Sequence, residues 1–535
     1  MSLNDSDISV SEKEHVSQAA GVVGFFTFLS RILGLVRDII VAGLFGTSMA
    51  ADAFFVAFSI PNLLRRLFAE GSLTIAFIPV FTEYLNNKTK EEAFQLARVI
   101  LTILSLILVV VVLLGVLFSP WIVRVLAWGW GSSGVKYDLT VLLTRITFPY
   151  IFLISLVAFF MGILNSLRHF AAPAAAPIFL NLGIIGSTVW ISPHLSQPIL
   201  GVAFGVLIGG VIQVGLQVPW ILKNGLSLIP NWMPDHPAVK RIGLLMLPAI
   251  FGSAVYQFNQ VITKLLASFL AEGSVSYLYY ADRIVQFPLG VFAIAISTAT
   301  LPSLSKQVSG NNLDEFTETL THSLGLVFFI IIPSTTGLII LGRLILQIFF
   351  ERGDFNALST TMTFNALIYY SIGLWAFSGI RVMVTAFYAF QDTKTPVKVA
   401  VVALVANLVL SLLLMGPLRH GGLALALSLA SSLQFALLVF FFKRRIDTWV
   451  LRPIFASLGR CVFASAVMGI VIDYLYSGWW APDPALGIMH MALRLAGLVF
   501  IGVIIYFTVA KILGCRELSS MLDIFKPILK RIRPG

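Results

Sequence analysis

The sequence predicts an all-α integral membrane protein with fourteen transmembrane helices, arranged as two pseudo-symmetric six-helix lobes followed by two C-terminal helices. Of its 535 residues, 58% are hydrophobic and only 11% are charged, whereas a soluble domain carries about 25% charged residues. The apolar residues form long continuous runs separated by short polar loops, as membrane-spanning helices do. A β-barrel is excluded because the runs do not alternate.

Fourteen runs reach the length of about 20 residues with which a helix crosses a bilayer. They are 20–45, 52–82, 96–127, 138–166, 174–192, 198–222, 240–270, 275–304, 318–349, 359–388, 396–416, 420–442, 453–475 and 488–512. The preceding tail, 1–19, is polar and acidic, so we expect the first run to be a retained helix and not a cleaved signal peptide. The tail after the last run, 515–535, is basic.

Lysine and arginine are unevenly divided between alternate loops. One set of loops holds basic clusters such as 443–445, whereas the other holds little beyond Lys136, Arg352 and Arg419. Because cytoplasmic loops carry an excess of basic residues, this asymmetry predicts that both termini are cytoplasmic, as an even number of spans requires. The same rule explains the net charge of +11 without a nucleic-acid partner.

An internal repeat relates the two halves of the chain. Residues 51–84 resemble 274–306: each segment starts with aromatic residues, continues through an arginine and closes on Ile-Pro or Leu-Pro. Pro79 thereby matches Pro302, at an offset of 302 − 79 = 223 along the chain.

A second similarity, between 163–177 and 384–396, matches Pro177 with Pro396 at an offset of 396 − 177 = 219 along the chain. The repeat predicts an N-lobe at 20–230 and a C-lobe at 231–445, with the last two helices at 446–514. An offset of six spans preserves orientation, and parallel repeats place the substrate path between the lobes.

The most informative ionisable side chains lie inside three predicted spans. They are Arg31, Arg37, Asp38, Asp52, Arg65, Arg66, Glu70, Asp282 and Arg283. At the bilayer centre such a group costs at least ~2.5–3.5 kcal/mol, so these groups usually face a cavity and mark a substrate path. Two purely structural roles stay open as well, since arginines near a span end extend to the interface and acidic neighbours neutralise them.

The excess of arginine predicts an anionic substrate. A guanidinium stays protonated and offers a planar fork of donors that matches phosphate or carboxylate oxygens. An exporter of drugs or small cations would need a carboxylate-rich cavity instead. We do not expect an enzyme, because the sequence has no HExxH, P-loop, GxSxG or His/Cys cluster.

Four segments form long and specific motifs: SRILGLVRD (30–38), TSMAADAFFVAFSIPNLLRRLFAEGSLTIAFIPVF (47–81), SVSYLYYADRIVQFPLG (274–290) and QDTKTPVK (391–398). They resemble the MurJ (MviN) family of bacterial lipid II flippases, in the multidrug/oligosaccharidyl-lipid/polysaccharide (MOP) exporter superfamily. The resemblance implies that undecaprenyl-pyrophosphate-linked disaccharide-pentapeptide, lipid II, moves from the inner to the outer leaflet of the bacterial inner membrane for peptidoglycan synthesis. It also implies alternating access through a cationic central cavity.

The resemblance also implies roles for individual residues. The substrate-binding residues of the family match Arg31, Arg37, Asp38, Asp52, Arg65 and Arg283. The last two helices, 446–514, would form a hydrophobic groove for the polyprenyl tail.

Energy coupling and partners are further expectations. Some relatives hold a sodium ion through an aspartate on the seventh span, but Thr263 stands near that place and leaves Asn259 and Asn407 as weak oxygen donors. We expect no cofactor, and either sodium or the membrane potential as the driving force. Lipid II, membrane lipids and cell-wall synthesis enzymes are the expected partners. Export of another lipid-linked oligosaccharide or drug, and a non-transporting cell-wall scaffold, remain the alternatives.

Overall fold

The computed structural model describes residues 5–66, 73–478, 487–519 and 521, and within these the side chains outside 5–20, 74–75 and 247–256. The α-helices are α1 (Asp5–Phe45), α2 (Met49–Leu64), α3 (Thr74–Asn87), α4 (Lys90–Leu117), α5 (Ser119–Leu126), α6 (Val135–Thr147), α7 (Tyr150–Ser166), α8 (Ala171–Trp190), α9 (Ile199–Lys223), α10 (Pro237–Ala267), α11 (Ser274–Pro288), α12 (Ile294–Ser309), α13 (Leu313–Phe349), α14 (Ala357–Ile372), α15 (Leu374–Ala389), α16 (Lys394–Arg445), α17 (Arg452–Gly478) and α18 (Gly487–Ile512).

The predicted membrane class is confirmed. Within the described ranges, nine helical segments are long and apolar enough to cross a membrane, and α14 with α15, which meet at 43°, make a tenth. The two spans predicted at 396–416 and 420–442 correspond to the two arms of α16, which breaks at Arg419 (φ 52°, ψ −133°). The helices are consistent with the fourteen predicted spans.

Helix boundaries reproduce the internal repeat. The helix α4 starts at Lys90 and α13 at Leu313, an offset of 313 − 90 = 223 along the chain. The helix α8 starts at Ala171 and α16 at Lys394, again an offset of 394 − 171 = 223 along the chain. Both values equal the offset between Pro79 and Pro302, so these two pairs of helix starts follow the same repeat.

The second similarity has a different register from the predicted one. The turn before α8 and the turn before α16 each contain a non-glycine residue in the left-handed region, Arg168 (φ 60°) and Gln391 (φ 56°). These residues are also 391 − 168 = 223 apart, so Pro396 corresponds to Pro173. The predicted match with Pro177 is wrong because the repeat is set by the turn and by the proline of the first helical turn, where proline is tolerated.

Two spans that carry charged residues are irregular at related places. Between α11 and α12, residues Leu289–Ala293 form a π-helical turn. In the other half, Arg65 and Arg66 after α2 and Leu73 before α3 also have π-helical geometry. Such turns occur frequently at functional sites, and interrupted spans in corresponding halves mark transporter binding regions.

Packing within the chain separates Met1–Gly273 from Ser274–Gly535. The first unit includes α10, which packs against α3 and α5, whereas the repeat assigns the predicted span 240–270 to the second lobe. A packing unit and a sequence repeat are different divisions of the chain. The lobe boundary between 230 and 231 therefore stays a prediction.

Glycines allow α8 and α9 to approach at backbone distance. In α9, Gly201, Gly205 and Gly209 recur every fourth residue, the small-residue spacing that brings membrane helices together. A Cβ atom built on Gly205 would lie 2.7 Å from the Cα atom of Ile184 in α8. One built on Gly209 would lie 2.8 Å from the Cα atom of Leu180. The position of α8 therefore depends on these glycines.

We expect Gly205→Ala to lower the thermal unfolding midpoint of the detergent-purified chain. The added methyl group must separate two backbones, a strain of about 1–3 kcal/mol. The matched control is Gly215→Ala in the same helix, because nothing lies within 4 Å of a Cβ atom there. Equal midpoints for the two variants would contradict this account of the α8–α9 contact.

Candidate substrate-binding site

Arg37 is held against its neighbour in α1. Its Nε and Nη2 atoms donate to Oδ1 of Asp38 at 3.0 and 2.7 Å, and the side chains are only 11% and 5% exposed. The predicted partial neutralisation of an intramembrane arginine thus occurs between adjacent residues. Because a buried ion without a partner costs several kcal/mol, this pair explains how α1 carries both charges inside the protein.

A residue that the sequence did not single out completes the contact. Asn181, in α8, accepts a hydrogen bond at Oδ1 from Nη1 of Arg37 at 3.1 Å. Its Nδ2 atom donates to the backbone oxygen of Ser30 at 3.0 Å. The amide therefore links α8 to two places in α1.

Arg31 differs from Arg37. Its side chain is exposed, and it makes no hydrogen bond or ion pair with the residues that the structure describes. Arg31 thus lies at the surface of the first unit, whereas the charge of Arg37 is largely satisfied within the protein.

Asp52 is the most buried charged residue of the predicted set, at 1% exposure. Its Oδ2 atom accepts from Nζ of Lys136 at 2.8 Å and from the backbone N–H of Gly273 at 2.9 Å. Lys136 also lies over the Trp130 ring, 4.2 Å from the centroid. Lys136 belongs to the first turn of α6, which starts three residues before the predicted span, and it neutralises the aspartate at the start of α2.

A second contact joins the same two segments. Oε1 of Glu272 accepts from the backbone N–H of Met49 at 2.8 Å. Asp52 and Glu272 thus each tie the start of α2 to the loop that follows α10. Two hydrogen bonds therefore hold residues 272–273 against the start of α2.

Arg65 lies where α2 ends. Its Nε and Nη2 atoms donate to Oδ1 of Asn62 at 3.1 and 2.8 Å, one helical turn earlier. Arg65 and Arg66 are partly exposed. Glu70, also predicted for this span, lies outside the described residues.

Arg283 is the charged residue of the second unit that the sequence predicts to bind substrate. Its side chain is exposed and lies over the ring of Tyr279, with the guanidinium carbon 5.0 Å from the centroid. Its Nη2 atom also donates to the Tyr279 hydroxyl at 2.8 Å. Next to it, Oδ1 of Asp282 accepts from Gln286 at 3.3 Å.

The sodium-site candidates have modest oxygen ligands. Oγ1 of Thr263 donates to the backbone oxygen of Asn259 at 3.0 Å. Asn407 is buried, with Ser411 Oγ 3.5 Å from its Oδ1 atom. Among the described residues, no group of three or more His, Cys, Asp or Glu could hold a metal ion.

The QDTKTP segment forms the turn before α16. Oδ1 of Asp392 accepts from the backbone N–H groups of Lys394 and Thr395 at 3.1 and 3.0 Å. Its Oδ2 atom accepts from the Thr395 hydroxyl at 2.8 Å and from Arg445 at 3.0 Å. Burial alone would raise the pKa of Asp392, but these donors together lower it. The motif thus fixes the turn to the far end of α16.

The last two helices pack on α13. Tyr506 of α18 donates to the backbone oxygen of Phe329 at 2.7 Å, and Met468 and Leu498 are buried in the same cluster. On other faces, Phe463 of α17 and Phe500 of α18 are exposed. Each helix therefore has one face buried in the protein and another that offers apolar side chains outward.

Comparison with known proteins identifies the family. The model of the lipid II flippase MurJ family matches residues 41–493. The chain is 38% identical to the probable lipid II flippase MurJ of Vibrio cholerae serotype O1 over 522 residues, which cover 95% of this chain and 98% of that protein. The chain belongs to the MurJ family. The lipid II flippase MurJ of Burkholderia cenocepacia is 37% identical over 79% of this chain and 83% of its own.

Solved structures agree with this membership. A MurJ lipid II flippase in an inward closed conformation matches with a TM-score of 0.76 at 30% identity, over 92% of this chain and 98% of that one. A multidrug-resistance MATE transporter of the MOP superfamily, in an inward-facing conformation, matches with a TM-score of 0.68 over 78% of this chain and 95% of that one. Its identity is 13%, so it supports the fold alone. The chain is a multi-pass membrane transporter and not an enzyme.

We expect Lys136→Met to destabilise the purified chain by about 3 kcal/mol, because a buried carboxylate would lose its counter-charge while keeping the Gly273 N–H. Adding Asp52→Asn to Lys136→Met should restore most of the loss in thermal midpoint. Lys88→Met is the control: its ion pair with Glu92 is about half exposed, and such pairs contribute little. A double variant no more stable than Lys136→Met would refute the role of the pair.

Proposed function

We propose that this chain translocates lipid II from the inner to the outer leaflet of the bacterial inner membrane by alternating access. Membership of the MurJ family carries the proposal. The lipid tail stays in the bilayer while the headgroup crosses through a polar path, so its charge avoids hydrocarbon.

The arginines of the two halves bind the pyrophosphate in this proposal. Arg31 and Arg283 are both exposed, and they make the first contacts with the phosphate oxygens. Arg37 adds its charge from the second turn beyond Arg31, oriented by Asp38. Guanidinium groups suit this role because they cannot lose their protons and can donate to two phosphate oxygens at once.

Asp52 and Arg65 serve the conformational step and not the first binding contact. Asp52 is buried and pairs with Lys136 and the backbone of Gly273. A contact between the start of α2 and the loop after α10 can be made in one state and broken in another. Arg65 itself has π-helical geometry in the second span, and helices kink at such turns.

The last two helices supply the surface for the polyprenyl tail. Their exposed phenylalanines offer the tail an apolar surface on the second unit. This suits a substrate whose tail stays in lipid while its headgroup crosses through a polar path. The tail would then remain in contact with lipid throughout transport.

We further propose that the membrane potential drives the reaction. Two negative charges that move outward gain ~2.3 kcal/mol per charge for each 100 mV of inside-negative potential. A sodium site built from Asn259, Thr263 and Asn407 would have neutral ligands only, which makes sodium the weaker alternative. The distribution of basic residues predicts that both termini are cytoplasmic, and cell-wall synthesis enzymes are the expected partners.

We expect Arg31→Ala and Arg283→Ala each to abolish transport while leaving the protein folded and inserted, because each removes an accessible charge that binds phosphate. The measurement is the fraction of lipid II that an outside reagent reaches in cells depleted of the wild-type protein. Arg124→Ala is the matched control, since its guanidinium lies over the rings of Trp121 and Trp128 and Arg124 is not one of the predicted substrate-binding residues. Normal lipid II exposure in both Arg31→Ala and Arg283→Ala cells would overturn the binding model.

A further inference from the structure

Asn181 joins the arginine-bearing helix to the rest of the first unit. We propose that Asn181 is a positioning residue of the anion site, which acts by orienting the guanidinium of Arg37. The inference rests on the proposed function, because it assigns a further residue to the same site. It concerns a neutral side chain that the pattern of charges in the sequence does not reveal.

The hydrogen bonds fix which end of the amide faces which partner. A guanidinium only donates and a backbone carbonyl only accepts. The oxygen of Asn181 must therefore face Arg37 and its nitrogen must face Ser30, as the distances of 3.1 and 3.0 Å indicate. An aspartate would lose the second contact and an alanine would lose both.

The surroundings hold Asn181 rigidly. Its side chain is 6% exposed, and its Nδ2 and Oδ1 atoms lie 3.8 and 3.9 Å from where a Cβ atom of Gly34 would stand. These are ordinary van der Waals distances, so the amide packs directly beside the α1 backbone at Gly34. Because the glycines of α9 hold α8 at backbone distance, the helix that carries the amide is fixed in position.

Neutrality is the property that an anion site needs from this partner. Asp38 already offsets the charge of Arg37 at 2.7 Å. A second carboxylate would leave the cluster with excess negative charge and repel phosphate, whereas an amide orients the guanidinium and leaves the net charge unchanged. The hydrogen bond from Nη1 to Asn181 thus keeps the guanidinium of Arg37 from turning further toward Asp38.

The test measures ligand affinity of the full-length chain in detergent by native mass spectrometry. Two probes are used: undecaprenyl pyrophosphate, which carries the anion, and undecaprenol, which does not. We expect Asn181→Asp to weaken pyrophosphate binding at least tenfold, and Asn181→Ala by about tenfold, the order expected for a hydrogen bond to a charged group. Undecaprenol binding should not change, whereas a general structural defect would weaken the binding of both probes.

Two controls separate positioning from packing. Ser187→Ala removes another buried hydrogen bond of α8, to the backbone oxygen of Gly201, and should bind both probes as the wild type does. In an Arg37→Ala background, Asn181→Ala should have no further effect, because the guanidinium that it orients is gone. Additive losses in that background would overturn the proposal, as would wild-type affinity of Asn181→Asp.

The outcomes also distinguish this proposal from the proposed function. If Arg37→Ala weakens pyrophosphate binding but the Asn181 variants do not, the positioning role fails and the anion site stands. If Arg37→Ala itself binds undecaprenyl pyrophosphate like the wild type, Arg37 is no part of the anion site, and the role of Asn181 fails with it.

Discussion

A charged side chain inside a membrane protein needs either a partner or a polar surface, and this constraint organises the molecule. Born-type desolvation penalties of several kcal/mol per ion explain why Asp38 lies against Arg37 and why Asp52 is paired with Lys136. Arg31 and Arg283 differ because their side chains are exposed. In the proposed mechanism the exposed arginines bind phosphate, whereas the buried charges stabilise one another.

The helices that carry these charges are placed by small residues. Gly205 and Gly209 bring α9 against α8 at backbone distance, α8 carries Asn181, and Asn181 contacts both Ser30 and Arg37 in α1. The guanidinium of Arg37 is thus oriented by a series of contacts between uncharged residues. Stability and function are therefore linked in the first unit, since a change in glycine packing would also move the arginine.

Much of this can be predicted from the sequence, because apolar length defines spans and a charge inside a span is rare enough to indicate function. The repeat is visible as well, although the sequence matches Pro396 with Pro177. The left-handed residues Arg168 and Gln391 show that the correct match is Pro173. Partner choice cannot be predicted. Lys136 is 84 residues from Asp52 and Asn181 is 144 residues from Arg37, and no local spacing relates residues so distant in the chain.

The most direct test of the binding model is an experimental structure of this chain with undecaprenyl pyrophosphate bound. We expect phosphate oxygens within about 3 Å of guanidinium nitrogens of Arg31 and Arg283, the distance of a charge-assisted hydrogen bond. Arg37 should lie beside the same phosphates, still held by Asn181. A pyrophosphate bound away from Arg31 and Arg283, with both side chains directed into lipid, would contradict the model.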